Sequence, residues 1–271
     1  MTKTLISAAG LPVAEEEWEL MLRRHRAAVL SEAARKYGVT PDAVPDYRNT
    51  MLPNGKTPAG LLTDRAAGEM ISVKKAQQVM LKLGVITDAG FGAFLLDWQK
   101  ENRRRETLLS VGEPVYGPKF FPMDEYYFHL HRLRLDAAGK VLRQNFPVPD
   151  DTLSRWYALH REEMPEFRKP DVLTVEIIRE KNSGRNDILV LAGEDAHSMQ
   201  SVYDEVNPLN VGGYSEAFLT PEGYVRYRLA GRKKGDYSPF PEIQPLIERR
   251  YYEAMLAEEI RRIPEAAVYA G

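Results

Sequence analysis

A change of period constrains this chain more than any other feature. From Ala14 to about His160 apolar residues recur every three or four positions, whereas Val172-Leu173-Thr174-Val175-Glu176-Ile177-Ile178 is a β-forming run. Pro170 stands at the switch, where the residue before a proline is pushed out of helical geometry. Two more β-type runs follow, Ile188 to Leu191 and Tyr224 to Leu229, before helical spacing returns near Ser238-Pro239 and lasts to about Ile263. The expected fold class is therefore mainly α, interrupted by a small α/β insert of about sixty residues that cannot bury a large core alone.

The helical parts carry their own punctuation. Ala14 to Tyr37 is amphipathic through Trp18, Leu22, Val29 and Ala33, and Gly38 stands where a left-handed cap belongs. Thr57-Pro58 pairs a capping hydroxyl with proline at a first helical position, and Leu62, Ala66, Met70, Val73, Ala76 and Met80 continue the face to Gly84. Asp88 is expected to open a third helix reaching about Arg105, Asp124 a fourth, and Asp150 or Asp151 a fifth that stops before Pro165. The intervening VGEPVYGPKFFP reads as a Gly/Pro loop, and Asp195 to Val206 as one short helix within the insert. Thr4 to Ser7 and Ala267 to Tyr269 read as short strands without local partners, which predicts that they pair with each other.

Composition removes several function classes. A net charge of -2, with Lys and Arg interspersed among Asp and Glu, is not a phosphate-binding surface, so nucleic acid is not an expected partner. No apolar run reaches the length of a membrane span, and MTKTLISAAGLPVAEEEW lacks the apolar centre of a signal peptide. Without cysteine there is no disulfide and no thiol nucleophile. The histidines are His25, His129, His131, His160 and His197, and none forms a ligand pair at helical spacing, so neither metal nor other cofactor is expected. Gly212-Gly213 reads as a turn rather than a phosphate cradle, and Arg103, Arg104 and Arg105 read as a solvated helix end. Asp150-Asp151 reads as a cap rather than an acid–base pair.

Three tryptophans, fourteen tyrosines and nine methionines give the helical framework adaptable apolar surface of the kind that binds varied chains, although most such residues pack in cores. Trp98, Tyr126, Tyr127, Trp156 and Tyr157 are the expected binding contacts.

The order of these elements resembles the SurA/PrsA-type chaperone-foldases, a peptidyl-prolyl isomerase family. TLISAAGLPVAEEEWELML is similar to their opening strand, turn and acidic-led helix, and VKKAQQVMLKLGVITDAGFGAFL to their following helix pair. PDDTLSRWYALHREEMPEFRKPDVLTVEII resembles the linker helix and first strand of their parvulin domain, and GYVRYRLAGRKKGDYSPFPEIQPLIERRYYEAML the last parvulin strand and the returning helix. The resemblance spans nearly the whole chain. It implies a helical chaperone domain built from residues 1–170 and 236–271, with residues 171–235 as a parvulin-type insert. It also implies an unfolded or partly folded client protein as partner and a location outside the cytoplasm, and leaves the oligomeric state open.

The insert departs from that pattern. The position matching the first parvulin histidine is Glu176, and that matching the second is Val225, while Thr220 matches the hydroxyl residue before it and Gly212-Gly213 a Gly-Gly. Prolyl isomerisation needs a pocket that favours the twisted amide against a barrier of about 18–20 kcal/mol, and no nucleophile. The implied insert is thus a shortened parvulin remnant acting as a brace or docking surface. The readings that stay open are a chaperone without isomerase activity, a working isomerase, and an accessory protein that holds one dedicated partner.

Overall fold

The computed structural model describes residues 4–40, 42, 46–179, 187–192, 198–221 and 223–270. His197 and the start of the helix expected from Asp195 lie outside them. Their contacts divide the chain into two units, one formed by residues up to Val148 together with those from Arg249, the other by Pro149–Glu248.

In the first unit α1 (Glu15–Tyr37) opens on Glu15, Glu16 and Glu17, whose carboxylates sit at the positive end of the helix dipole. It closes on Gly38, whose φ of 65° lets its N–H reach Ala34 O without steric penalty. α2 (Pro58–Lys82) is capped by Thr57, whose Oγ1 accepts from Gly60 N at 3.0 Å. Trp18 and Met21 of α1 and Met70 and Val73 of α2 enter one core with Phe91, Phe94 and Tyr127.

Sequence and structure differ at the next helices. α3 (Phe91–Ser110) begins after Asp88, which instead accepts Gly90 N–H at 2.7 Å and shapes the turn in front of the helix. It also runs past Arg105 to Ser110, with Arg104 and Arg105 bonded back to Glu101 on its surface. α4 (Met123–Asn145) and α5 (Asp150–His160) start on prolines, Pro122 and Pro149, whose extended backbones lead into the first turn. Asp124, Asp150 and Asp151 lie inside those first turns rather than at the caps, Asp124 accepting the Glu125 N–H at 3.0 Å. Asp150 accepts from Gln244 Nε2 at 2.8 Å, and Asp151 pairs with Arg155 at 2.6 Å.

A three-stranded antiparallel sheet joins the two chain ends in the first unit. β1 (Thr4–Ala8) pairs with β7 (Val268–Ala270), Thr4 opposite Ala270 and Leu5 opposite Tyr269. β1 also has a local partner that the sequence reading missed, β2 (Leu11–Pro12), across a two-residue turn in which Ala9 and Gly10 have φ of 49° and 73°. Two residues carry too little alternation to read as a strand.

In the second unit β3 (Val172–Arg179), β4 (Asp187–Leu191), β5 (Phe218–Thr220) and β6 (Gly223–Lys233) form an antiparallel sheet in the order β4-β3-β6-β5. One face packs Leu173, Val175, Leu191 and Leu229 against Val206 of α6 (Gln200–Val206). Elsewhere in this unit Phe167 is fully buried beside Tyr157, and Tyr157 Oη donates to Ser238 O at 2.6 Å.

α7 (Phe240–Arg262) crosses the division between the units. Ile243 is non-helical and Pro245 removes an N–H, so the helix is kinked near its start. Beyond the kink Ile247, Tyr252 and Leu256 are buried, and Tyr251 and Met255 are only partly covered. Tyr252 and Leu256 join a second core of the first unit with Ala76, Val79, Met80, Ala138 and Leu142. Among the described residues no helix is long and apolar enough to cross a membrane.

Candidate functional site

On the first unit α3 and residues 111–122 enclose an open groove of 550 Å³ whose walls are mostly apolar. Its geometry follows from how the loop is tied down. Arg105 is 6% exposed, lies 4.2 Å from the Phe121 ring centre, and donates to Tyr116 O at 3.0 Å and Pro118 O at 2.6 Å. Asn102 holds Phe121 from both sides of its amide, donating to its carbonyl at 3.1 Å and accepting its N–H at 2.8 Å. Trp98 Nε1 donates to the same carbonyl at 2.8 Å. With Phe121 fixed inward, its neighbour Phe120 is turned outward, 58% exposed, its ring edge-on to Trp98 at 6.0 Å.

Leu109 completes the apolar lining, and Arg103, Glu106 and Lys119 supply the charges. Tyr116, nearby on the same loop, is 89% exposed. Large apolar side chains held out by a buried guanidinium and an amide clamp are a display, since collapse onto the core would hide them. Phe120 and Leu109 were not singled out in the sequence. The signal was the doubled Phe120-Phe121 inside a Gly/Pro loop, where only one ring of the pair is needed for the core.

Of the five aromatic residues expected to bind, Trp98, Tyr126 and Tyr127 lie in the first unit and Trp156 and Tyr157 in the second. Trp98 lines the groove. Tyr126 is buried between Phe94 and Phe121, and Tyr127 is buried with its hydroxyl donating to Glu17 Oε1 at 2.6 Å. Burial, reinforced by the Glu17 charge, holds the Tyr127 phenol well above its ordinary range. Trp156 and Tyr157 belong to the second unit, Trp156 half-buried and stacked on His160 with ring centres 4.6 Å apart, Tyr157 buried. Adjacent aromatics on a helix point to different sides, and for Tyr126 and Tyr127 both sides meet the core.

The three histidines of the first unit have separate surroundings. His25 stands beside Glu69, His129 stacks on Phe121, and His131 is depressed to about 4 by burial and the nearby Arg134 charge. No group of metal-binding side chains forms among the described residues. Of the three arginines read as a helix end, Arg104 and Arg105 bond Glu101 in the body of α3, and Arg103 points into the groove lining.

The insert positions can be located on their sheet. Glu176 pairs in register with Arg228 and bonds its guanidinium at 3.0 Å. Val225, paired with Arg179, is buried. Arg179 is three positions beyond Glu176 along β3, and an odd offset places the two positions on opposite faces of the sheet. Thr220 Oγ1 donates to Gly223 O at 2.8 Å and closes the β5–β6 turn. Gly212 and Gly213 exchange backbone bonds with Leu229, at 2.7 Å and 3.0 Å, and Gly212 has a φ of 90°. A side chain at Gly213 would meet Asn210 O at 2.9 Å, so this pair builds a turn laid along β6.

No protein-family model matches the chain, and no curated protein matches it. Among solved structures it is similar to a chain described with the virulence factor PEB4 and the periplasmic protein Cj1289, two structurally related SurA-like chaperones of Campylobacter jejuni. That likeness covers 100% of this chain and 99% of the other at 11% identity, with a TM-score of 0.34. Similarity to peptidylprolyl isomerase PrsA of Bacillus anthracis covers 71% and 96% of the two chains at 14% identity and a TM-score of 0.21. For PrsA of Bacillus subtilis the coverages are 79% and 90%, the identity 12% and the TM-score 0.23. Superpositions this loose carry no residue correspondence.

Proposed function

We propose that this chain is a chaperone- or foldase-like protein that holds extended or unfolded client segments in the α3 groove, without prolyl isomerase activity. The observation that carries the reading is the outward Phe120 beside Trp98 and Leu109, fixed there by Arg105 and Asn102. A pre-formed apolar surface can take an extended chain without first having to order itself. The sequence resemblance to SurA/PrsA-type proteins supports the same class and a site of action outside the cytoplasm. Within that reading residues 171–235 serve as a brace or docking surface. Glu176 is engaged by Arg228 and Val225 lies on the other face, so these two positions do not converge on one amide.

Suppression of aggregation of several unrelated unfolded proteins tests the proposal. The intact chain is expected to suppress it, and Phe120→Ser to weaken suppression while melting like the parent. Suppression with only one of many substrates would favour a dedicated-partner role. An accelerated cis/trans relaxation of an Xaa-Pro peptide, which is spontaneous over tens to hundreds of seconds, would establish isomerase activity and overturn the non-catalytic part.

A further inference from the structure

Resting on that reading of the groove, we propose that it selects segments in which an apolar or aromatic side chain is flanked by a carboxylate. The argument is from charge. Three ionic side chains line the groove, Arg103, Lys119 and Glu106, two cations to one anion, in a chain whose net charge is -2. The surrounding ion pairs do not absorb them. Glu101, on the same helix, is committed to Arg104 and Arg105 at 2.7 Å and 2.8 Å, and those bonds hold its carboxyl below the usual range. Arg103 and Lys119 are exposed and have no ion-pair partner among the described residues. An apolar wall with free cations above it matches a segment that offers a ring or branched side chain to Trp98 and Phe120 and a carboxylate one or two positions away. A segment with Lys or Arg in that place meets two like charges and only Glu106 in its favour.

The size of the preference follows from exposure. An exposed ion pair is worth up to about fivefold in affinity, so two such contacts predict a preference of about three- to tenfold at low salt. Such contacts are screened as the Debye length shortens from roughly 20 Å to about 4 Å, so the preference is expected to shrink toward unity between about 20 mM and about 500 mM salt.

Three peptides sharing one Phe-Leu centre, flanked by Glu, by Gln or by Lys, are titrated against the full chain by fluorescence anisotropy. The Glu peptide is expected to bind most tightly and the Lys peptide least, with the order collapsing in high salt. The double variant R103E/K119E is expected to reverse the order, its thermal unfolding unchanged because both side chains are exposed. Equal binding of all three, or an unreversed order in the variant, overturns the charge selection. Binding of the Gln peptide that is lost in Phe120→Ser keeps the groove itself standing in that event. Failure of every peptide to bind overturns both readings.

Discussion

At the scale of single residues the most consequential group is internal. Lys74 is fully buried, its Nζ 2.9 Å from Glu17 Oε1, and the same oxygen accepts from Tyr127 Oη at 2.6 Å. Two opposite charges removed from water are costly, and their mutual attraction offsets that only while both are present. Lys74→Met should therefore cost about 3–5 kcal/mol in chemical denaturation, because it strands a buried carboxylate. E17Q/K74M, which keeps an acceptor for Tyr127 and removes both charges, should recover much of the loss. His131 gives the chain a pH dependence of definite sign. Its folded pKa of about 4 lies below the ordinary 6.5, so below pH 6.5 the unfolded chain binds the proton more readily. The neutral-imidazole contribution is fully present above pH 6.5 and is lost as pH falls toward 4, by up to about 3 kcal/mol. A urea midpoint that falls over this window in the parent and stays flatter in His131→Gln is the expected outcome. None of this was visible in the sequence, where Glu17 reads as one of three acids at a helix start and Lys74 as one of three lysines on a helix. Which of each set turns inward depends on how α1 and α2 face each other.

At the scale of elements the sequence carried helix existence better than helix ends. Gly38 and Thr57-Pro58 do mark ends, because a left-handed cap and a side-chain cap are local chemistry. Asp88 and Asp150 misled, because a carboxylate near a helix start is equally useful in the preceding turn or in the first turn itself. β5, with three residues, was too short to show alternation, and the spacing alone did not show the non-helical Ile243 inside α7. The groove depends on a single loop-to-helix attachment. In Arg105→Ala the carbonyls of Tyr116 and Pro118 lose their donor and Phe121 loses its covering guanidinium. Removing a charged donor of this kind costs about 1.5–3 kcal/mol, and the loop is expected to become the first site of limited proteolysis. Peptide binding in the groove should fall together with that protection, whereas Arg104→Ala, which loses only an exposed pair, should leave both in place.

At the scale of the whole molecule the two ends of the chain meet in one unit, which the sequence indicated through two strands that had no evident neighbours. Residues beyond Arg249 contribute Tyr252 and Leu256 to the core around Ala76, Met80, Ala138 and Leu142, and Tyr252 Oη donates to Phe146 O at 2.8 Å. Val268 and Tyr269 pair with β1. Full burial of an apolar side chain is worth about 1.5–3 kcal/mol, so Tyr252 and Leu256 alone supply about 3–6 kcal/mol before entropy is counted. The partly covered Tyr251, Met255, Ile260 and Ile263 add to this. A domain's net stability is about 5–15 kcal/mol, so the contribution of this tail is comparable to the whole margin. Removing residues 249–271 should therefore abolish cooperative unfolding of the N-terminal helices, with Ala76, Val79 and Leu142 left facing water and β1 left without its longer-range neighbour. Circular dichroism melting of residues 1–248 beside the intact chain reads this directly. A truncated chain that melts cooperatively near the intact transition would mean that the N-terminal helices hold a sufficient core without the C-terminal residues, and that joining the two ends adds little to their stability.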